Sequence, residues 1–263
     1  MNIHTGLVSI SFRKRSVEQI IETVAQAGLA GIEWGGDVHV PHGDLARARE
    51  VGALTRAAGL RVAAYGSYYR AGVSEQQGLP FEKVLDSARA LQAPTIRVWA
   101  GAQASAACTP DDRGRVVEDS LRIGALAARQ GVRVAFEYHR NTLTDDRASA
   151  RGLLLATQPA GLAAYWQPTI NWSHDEHLAS LRDMLPWLSN VHVFQWEANG
   201  QRLPLADGTS NWRDFFQVLA EAGGAEPPTD RWALLEFVRD DSLEQFVRDA
   251  ATLRQLIAAC RGE

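Results

Sequence analysis

Eight times along the chain a short apolar or β-branched run gives way to a longer stretch with helical periodicity. The strand-like runs are HTGLVSIS, LAGIEWG, LRVAAYG, APTIRVWAG, VRVAFEYH, LAAYWQP, NVHVFQW and RWALLEFV. Amphipathic segments cover 16–27, 44–58, 80–91, 110–130, 145–157, 175–186, 210–222 and 241–259. Ser16, Thr109-Pro110 and Ser242 are helix-start signals. Glycines in AQAGL, RAAGL and ARQGV stop helices just before the next strand. Strands that alternate with helices build a parallel sheet. Eight such units in 263 residues predict an α/β fold, a closed (β/α)8 barrel that forms a single domain over 1–263. An open doubly wound sheet is the rival, but no G-x-G-x-x-G turn follows the first run.

Composition narrows the function. With 46% hydrophobic residues there is ample material for a large core. A net charge of −4 gives no electrostatic footprint for nucleic acid. No apolar run approaches the ~18 residues of a membrane span, and the first residues lack the pattern of a signal peptide. Cys108 and Cys260 are far apart, as expected of a cytoplasmic protein in a reducing compartment. Only Lys14 and Lys83 are lysines. One lies between two arginines and the other in a helical segment, so neither suits a Schiff base, which needs a desolvated amine. The oligomeric state stays open, a homo-oligomer included.

Active sites of such barrels lie at the C-terminal ends of the strands. The residues there are Glu33 and Trp34, with His39 just beyond; Tyr65 and Tyr68; Arg97 and Trp99; Glu137 and His139; Trp166 and Gln167; His192 and Trp196; and Glu236. Aromatic walls with a few convergent polar groups suit a small carbohydrate. Glu33, Trp34, His39, Tyr65, Tyr68, Arg97, Trp99, His139, Trp166 and Trp196 are therefore candidate substrate-binding residues. Glu137 and Glu236 stand in apolar strands, and lone acids are rarely buried unless paired or bound to metal. They could act as base and acid on a small carbon acid or, with oxygen and imidazole donors, hold a divalent cation. An ion pair with Arg97 is the plainer use of a buried glutamate.

AGLAGIEW, AGLRVAAYG, APTIRVWAG, VRVAFEYH and RWALLEF, in this order and spacing, resemble the xylose isomerase-like TIM-barrel family of sugar isomerases and epimerases over essentially the full length. That group also includes inosose dehydratases and endonuclease IV. The resemblance implies a divalent metal (Mn, Mg, Zn or Co) on a Glu of the fifth strand, an Asp of the sixth, a His or Gln of the seventh and a Glu of the eighth. The two glutamates often double as the acid/base pair. Glu137 and Glu236 match. Gln167 replaces the aspartate, and VHVF puts Phe194 at the usual ligand position with His192 two residues earlier. Either His192 takes the role, Gln195 turns inward, or three or fewer ligands remain. The expected metal set is Glu137, Gln167, His192 and Glu236.

The implied function is a sugar or polyol isomerase or epimerase that moves a proton next to a carbonyl. A keto-sugar or inosose-type dehydratase on the same site is the first alternative, and a non-catalytic sugar-binding barrel the second. An endonuclease IV-like activity needs a trinuclear zinc cluster with many His and Asp ligands, which the strand ends lack.

Overall fold

A computed structural model describes residues 3–221 and 230–261. The strands are β1 (Ile3–Val8), β2 (Gly31–Gly35), β3 (Arg61–Arg70), β4 (Thr95–Trp99), β5 (Arg133–Phe136), β6 (Ala163–Trp166), β7 (Leu188–Val193), β8 (Gln195–Trp196), β9 (Arg202–Leu203) and β10 (Arg231–Leu235). The helices are α1 (Val17–Gln26), α2 (Leu45–Ala57), α3 (Phe81–Leu91), α4 (Pro110–Ala128), α5 (Arg147–Thr157), α6 (His174–Met184), α7 (Thr209–Glu221) and α8 (Leu243–Arg261). The parallel ring runs β1-β10-β7-β6-β5-β4-β3-β2 and closes on itself, so the (β/α)8 barrel is the fold. Position 222, the expected end of the seventh helix, lies outside the described residues.

Local chemistry starts the helices where the sequence placed them. Ser16 and Thr109 close reciprocal capping boxes with Gln19 and Asp112, each satisfying amide donors that an open helix end leaves bare. Ser173 and Glu176 do the same for α6.

Side chains alternate between the two faces of each strand, and this splits the core into two layers. Val8, Ala63, Ala64, Ala135, Ala163, Tyr165, Trp232 and Leu234 pack together inside the barrel. The larger cluster, with Ile32, Trp34, Tyr65, Ile96, Val98, Phe136, Trp166, Val191, Val193 and Leu235, lies between strands and helices. Four alanines in the inner layer leave room in the lumen, and polar side chains fill the space towards the C-terminal rim. The β8–β9 hairpin, Gln195 facing Leu203 and Trp196 facing Arg202, stands on that rim after β7.

Candidate active site

Glu137, Gln167 and Glu236 are each the first residue past the end of their strand. The ladder carries them: Glu137 N–H donates to the Val98 carbonyl at 2.9 Å and Glu236 N–H to the Val193 carbonyl at 3.0 Å. Their inner-layer neighbours two residues back, Ala135, Tyr165 and Leu234, fix the side-chain direction by alternation. His192 lies in β7 with the same inward phase and is 0% exposed.

These four side chains converge. His192 Nδ1 lies 3.2 Å from Glu236 Oε2 and 3.6 Å from Glu137 Oε1, and 3.0 Å from Gln167 Oε1. Gln167 Nε2 donates to the Tyr138 carbonyl at 2.8 Å and faces Glu137 Oε1 at 3.3 Å, which leaves its carbonyl oxygen for the imidazole. All four residues are buried.

The two carboxylates differ. Glu137 Oε2 accepts from Arg97 Nη1 and from Trp99 Nε1, so only its Oε1 faces the cluster. Burial opposes charge on Glu137, but Arg97 and then His192 outweigh it and hold the group well below the ordinary carboxylate range. Glu236 Oε2 has no hydrogen-bond partner among the described residues. Burial likewise opposes charge on His192, and Glu236, Glu137 and Glu33 outweigh it, raising its pKa well above the ordinary value.

Beneath this layer Arg97 Nε donates to Glu33 Oε1 at 2.6 Å. Burial works against the Glu33 charge, but Arg97 and His192 keep its pKa lowered. Tyr68 lies over the Arg97 guanidinium at 5.3 Å. Burial pushes its phenol up to about 12, so it stays neutral. On the far side of Trp99, His139 stacks at 4.7 Å and 24°, and the Arg70 guanidinium lies 4.8 Å from the indole.

The donors suit a divalent cation. Glu137, His192 and Glu236 each offer one atom, all within 4.8 Å of one another, and unpartnered buried oxygens are costly unless something positive meets them. Carboxylate, imidazole and amide oxygen are hard to borderline ligands, appropriate to Mg, Mn or Zn. Of the alternatives for the seventh strand, His192 is the residue that points in. Gln195 turns to the Trp196 carbonyl and packs against Gly208, and Phe194 packs tilted against Trp196 and edge-on to Phe237.

A cavity of about 530 Å³ meets the cluster at Gln167, the one of the four residues that lines it. Gln167 forms part of its floor, and Phe194, Trp196 and Phe237 give it aromatic walls. Its ionisable lining side chains besides Tyr138 are His139, Arg140 and Arg202, with no carboxylate among them.

Several expected substrate contacts lie elsewhere. Trp34, Tyr65 and Trp166 are in the outer layer: Trp34 Nε1 donates to Thr55 of α2, Trp166 Nε1 to Ser180 of α6, and Tyr65 hydroxyl to the Val40 carbonyl. Alternation explains this, since Glu33, Gly66 and Gln167 take the inward positions beside them. His39 packs behind β2 against Ser9 Oγ at 3.0 Å and the Trp34 ring. Glu33 and Arg97 are inside the barrel but closed off, 0% and 2% exposed, so they support the site instead of lining the cavity. His139 and Trp196 do line it, while Tyr68 and Trp99 cover Arg97 and Glu137. Sequence reasoning missed Tyr165, whose ring meets the His192 imidazole edge-on at 5.2 Å. Its spacing of two from Gln167 was the available signal. It also missed Arg140, Arg202 and Phe237; the last has φ +53, which no local pattern announces.

Residues 21–256 match the family model described as xylose isomerase-like TIM barrel. A 3-dehydroshikimate dehydratase of Bacillus anthracis is 26% identical over 88% of this chain and 90% of its own length. A crystal structure of a probable dehydratase of that kind from Bacillus anthracis superposes with a TM-score of 0.79 at 20% identity, covering 97% of this chain and 99% of the other. A xylose isomerase-like TIM barrel protein from Mycobacterium smegmatis in complex with magnesium gives 0.73 at 15% identity, over 98% and 97% of the two chains. A D-psicose 3-epimerase gives 0.69 at 16%, over 99% of each. The chain belongs to the xylose isomerase-like TIM barrel family.

Proposed function

We propose that the protein is a lyase that removes water from a small hydroxylated keto acid by taking a proton from the carbon next to the carbonyl. The observation that carries this reading is the unequal pair of buried carboxylates. Glu137 has one oxygen tied to Arg97 and Trp99 and a charge held in place, so it is a fixed anion. Glu236 Oε2 has no hydrogen bond among the described residues and faces only the His192 imidazole, at 3.2 Å, so it is the less restrained carboxylate and the one able to take up and release a proton. Epimerisation needs a base on each face of the carbon, whereas elimination needs one base that can hand its proton on. Glu236 would accept the proton from carbon and deliver it to the departing hydroxyl, which leaves as water while the C–C double bond forms.

Glu137, Gln167, His192 and Glu236 would hold a divalent cation. When bound, such a cation polarises a carbonyl and stabilises the negative charge that develops on its oxygen. Gln167 Nε2, through its hydrogen bonds to the Tyr138 carbonyl and to Glu137 Oε1, would hold the amide oxygen and Glu137 in register. Phe194, Trp196 and Phe237 would form apolar walls for a ring and exclude water. The cationic lining, Arg140 and Arg202, favours a substrate with a carboxylate over a neutral sugar. The Bacillus anthracis relative supports the same reaction class, since 3-dehydroshikimate is a hydroxylated keto acid. The composition fits work on a cytosolic metabolite.

The experiment is incubation in D2O with Mn2+, followed by proton NMR, using 3-dehydroshikimate beside D-fructose and D-psicose. Loss of water from the keto acid with the ketoses untouched is expected. Deuterium entry at carbon 3 of the ketoses, with the keto acid unchanged, would replace this reading by epimerisation.

A further inference from the structure

Glu33 is the least exposed acid of the site and does not line the cavity. Its two oxygens face two different neighbours. Oε1 accepts from Arg97 Nε at 2.6 Å. Oε2 faces His192 Nε2 at 3.8 Å, an ion-pair contact beyond hydrogen-bond length, and neither buried atom has a hydrogen-bond partner among the described residues. Arg97 in turn holds Glu137 Oε2 through Nη1. One carboxylate therefore sits behind both arms of the cluster.

The surroundings are shaped for it. At Gly66 a Cβ would come within 2.6 Å of Arg97 Nη2 and 2.8 Å of Glu33 Oε1, so glycine makes room for the pair. The Tyr165 ring stands edge-on to His192 and limits the other positions the imidazole could take. A carboxylate facing one ring nitrogen favours one direction for the other, and an acceptor on that side is what orients a metal-binding histidine.

We propose that Glu33 is the positioning residue of the site: it steers His192 so that Nδ1 faces Glu236, and steers Glu137 through Arg97 so that Oε1 faces the same point. This rests on reading the cluster as a cation site. Glu33 touches neither substrate nor cation. Its loss acts through the direction of two other side chains.

The test is Mn2+ binding to the purified protein, followed by electron paramagnetic resonance, for the parent chain, Glu33→Gln and Glu33→Asp, with thermal melting of each. Glu33→Gln offers an acceptor to one neighbour but not to both. The expected result is that it melts as a folded protein and binds Mn2+ about tenfold to a hundredfold more weakly, with Glu33→Asp recovering part of the loss. Equal affinity in the parent chain and Glu33→Gln would overturn the proposal and leave Glu33 as a counter-ion for Arg97 alone. No Mn2+ binding by the parent chain would overturn the cation reading. Glu33 is then judged by nitrogen NMR of His192 at fixed pH: the same ring signals in the parent chain and Glu33→Asp, lost in Glu33→Gln, support positioning, and signals unchanged in all three overturn it. If Glu33→Gln does not fold, Glu33→Asp carries the test, since a carboxylate drawn back by one methylene weakens Mn2+ binding only if Glu33 positions.

Discussion

Gln167 Oε1 lies 3.0 Å from His192 Nδ1, and both side chains are buried at the mouth end of the barrel. The amide thereby does two things a carboxylate at this position would do differently. It adds an oxygen without adding a charge, and its nitrogen donates to the Tyr138 carbonyl, which locks the oxygen's direction. Gln167→Leu removes the oxygen and all three side-chain hydrogen bonds while keeping similar bulk. Mn2+ affinity should fall about tenfold or more, measured by titration with a spin-resonance readout. Unchanged affinity would remove Gln167 from the ligand set.

Arg97 is the charge on which two buried carboxylates depend. It is 2% exposed and bridges Glu33 to Glu137. Arg97→Met leaves both acids buried without their cation. Removing one partner from a buried ion pair costs about 3–5 kcal/mol, so urea unfolding should show a loss of that order. A loss under about 1 kcal/mol would mean that water or His192 compensates the two charges.

Stability should also carry the mark of these acids in its pH dependence. Glu33 and Glu137 titrate below their ordinary value of 4.5 in the folded chain. Their contribution is complete above that value and is lost as pH falls through the lower folded values. His192 has the opposite sign. Its pKa is raised above 6.5, so its contribution is complete below 6.5 and is lost as pH rises through the higher folded value. The melting temperature should therefore be highest on the weakly acidic side of neutrality and drop steeply in acid. Melting curves across pH 3 to 9 check this, with a shallower acid decline expected in Glu33→Gln.

Cation binding to the same donors should depend on pH in a related way. His192 must offer a neutral nitrogen to a cation, and the protein favours its charged form. Mn2+ affinity should rise with pH up to the raised pKa of His192, since each cation bound displaces a proton. Calorimetric titration in two buffers of different ionisation enthalpy measures that proton release. An affinity flat between pH 6 and 8 with no proton released would place the cation away from His192.

How much of this was legible in the sequence varies by level. The barrel was legible because the alternation of period-2 and period-3.6 patterns repeats without interruption, and caps such as Ser16 and Thr109 mark helix starts by local chemistry alone. Glu137 and Glu236 stood out because acids in apolar strands demand a partner. Trp34, Tyr65 and Trp166 fall outside the site because position near a strand end does not distinguish the two faces of the strand. The pleat sends Glu33 and Trp34, or Trp166 and Gln167, to opposite faces. That rule was available, but its phase in each strand is fixed only once an inward residue is known. Arg140 lies in a loop and Arg202 in the short rim strand β9, and their approach to the cavity depends on contacts distant in sequence, so no local pattern could bring them there.

Proton transfer by Glu236 in a dehydration is tested most directly by the rate of 3-dehydroshikimate consumption with Mn2+ present, in the parent chain and in Glu236→Gln. Measurable turnover that falls by about 10²–10⁴ in the variant, with both proteins folded, is the expected result. No consumption by the parent chain, or equal rates in the two proteins, would contradict it.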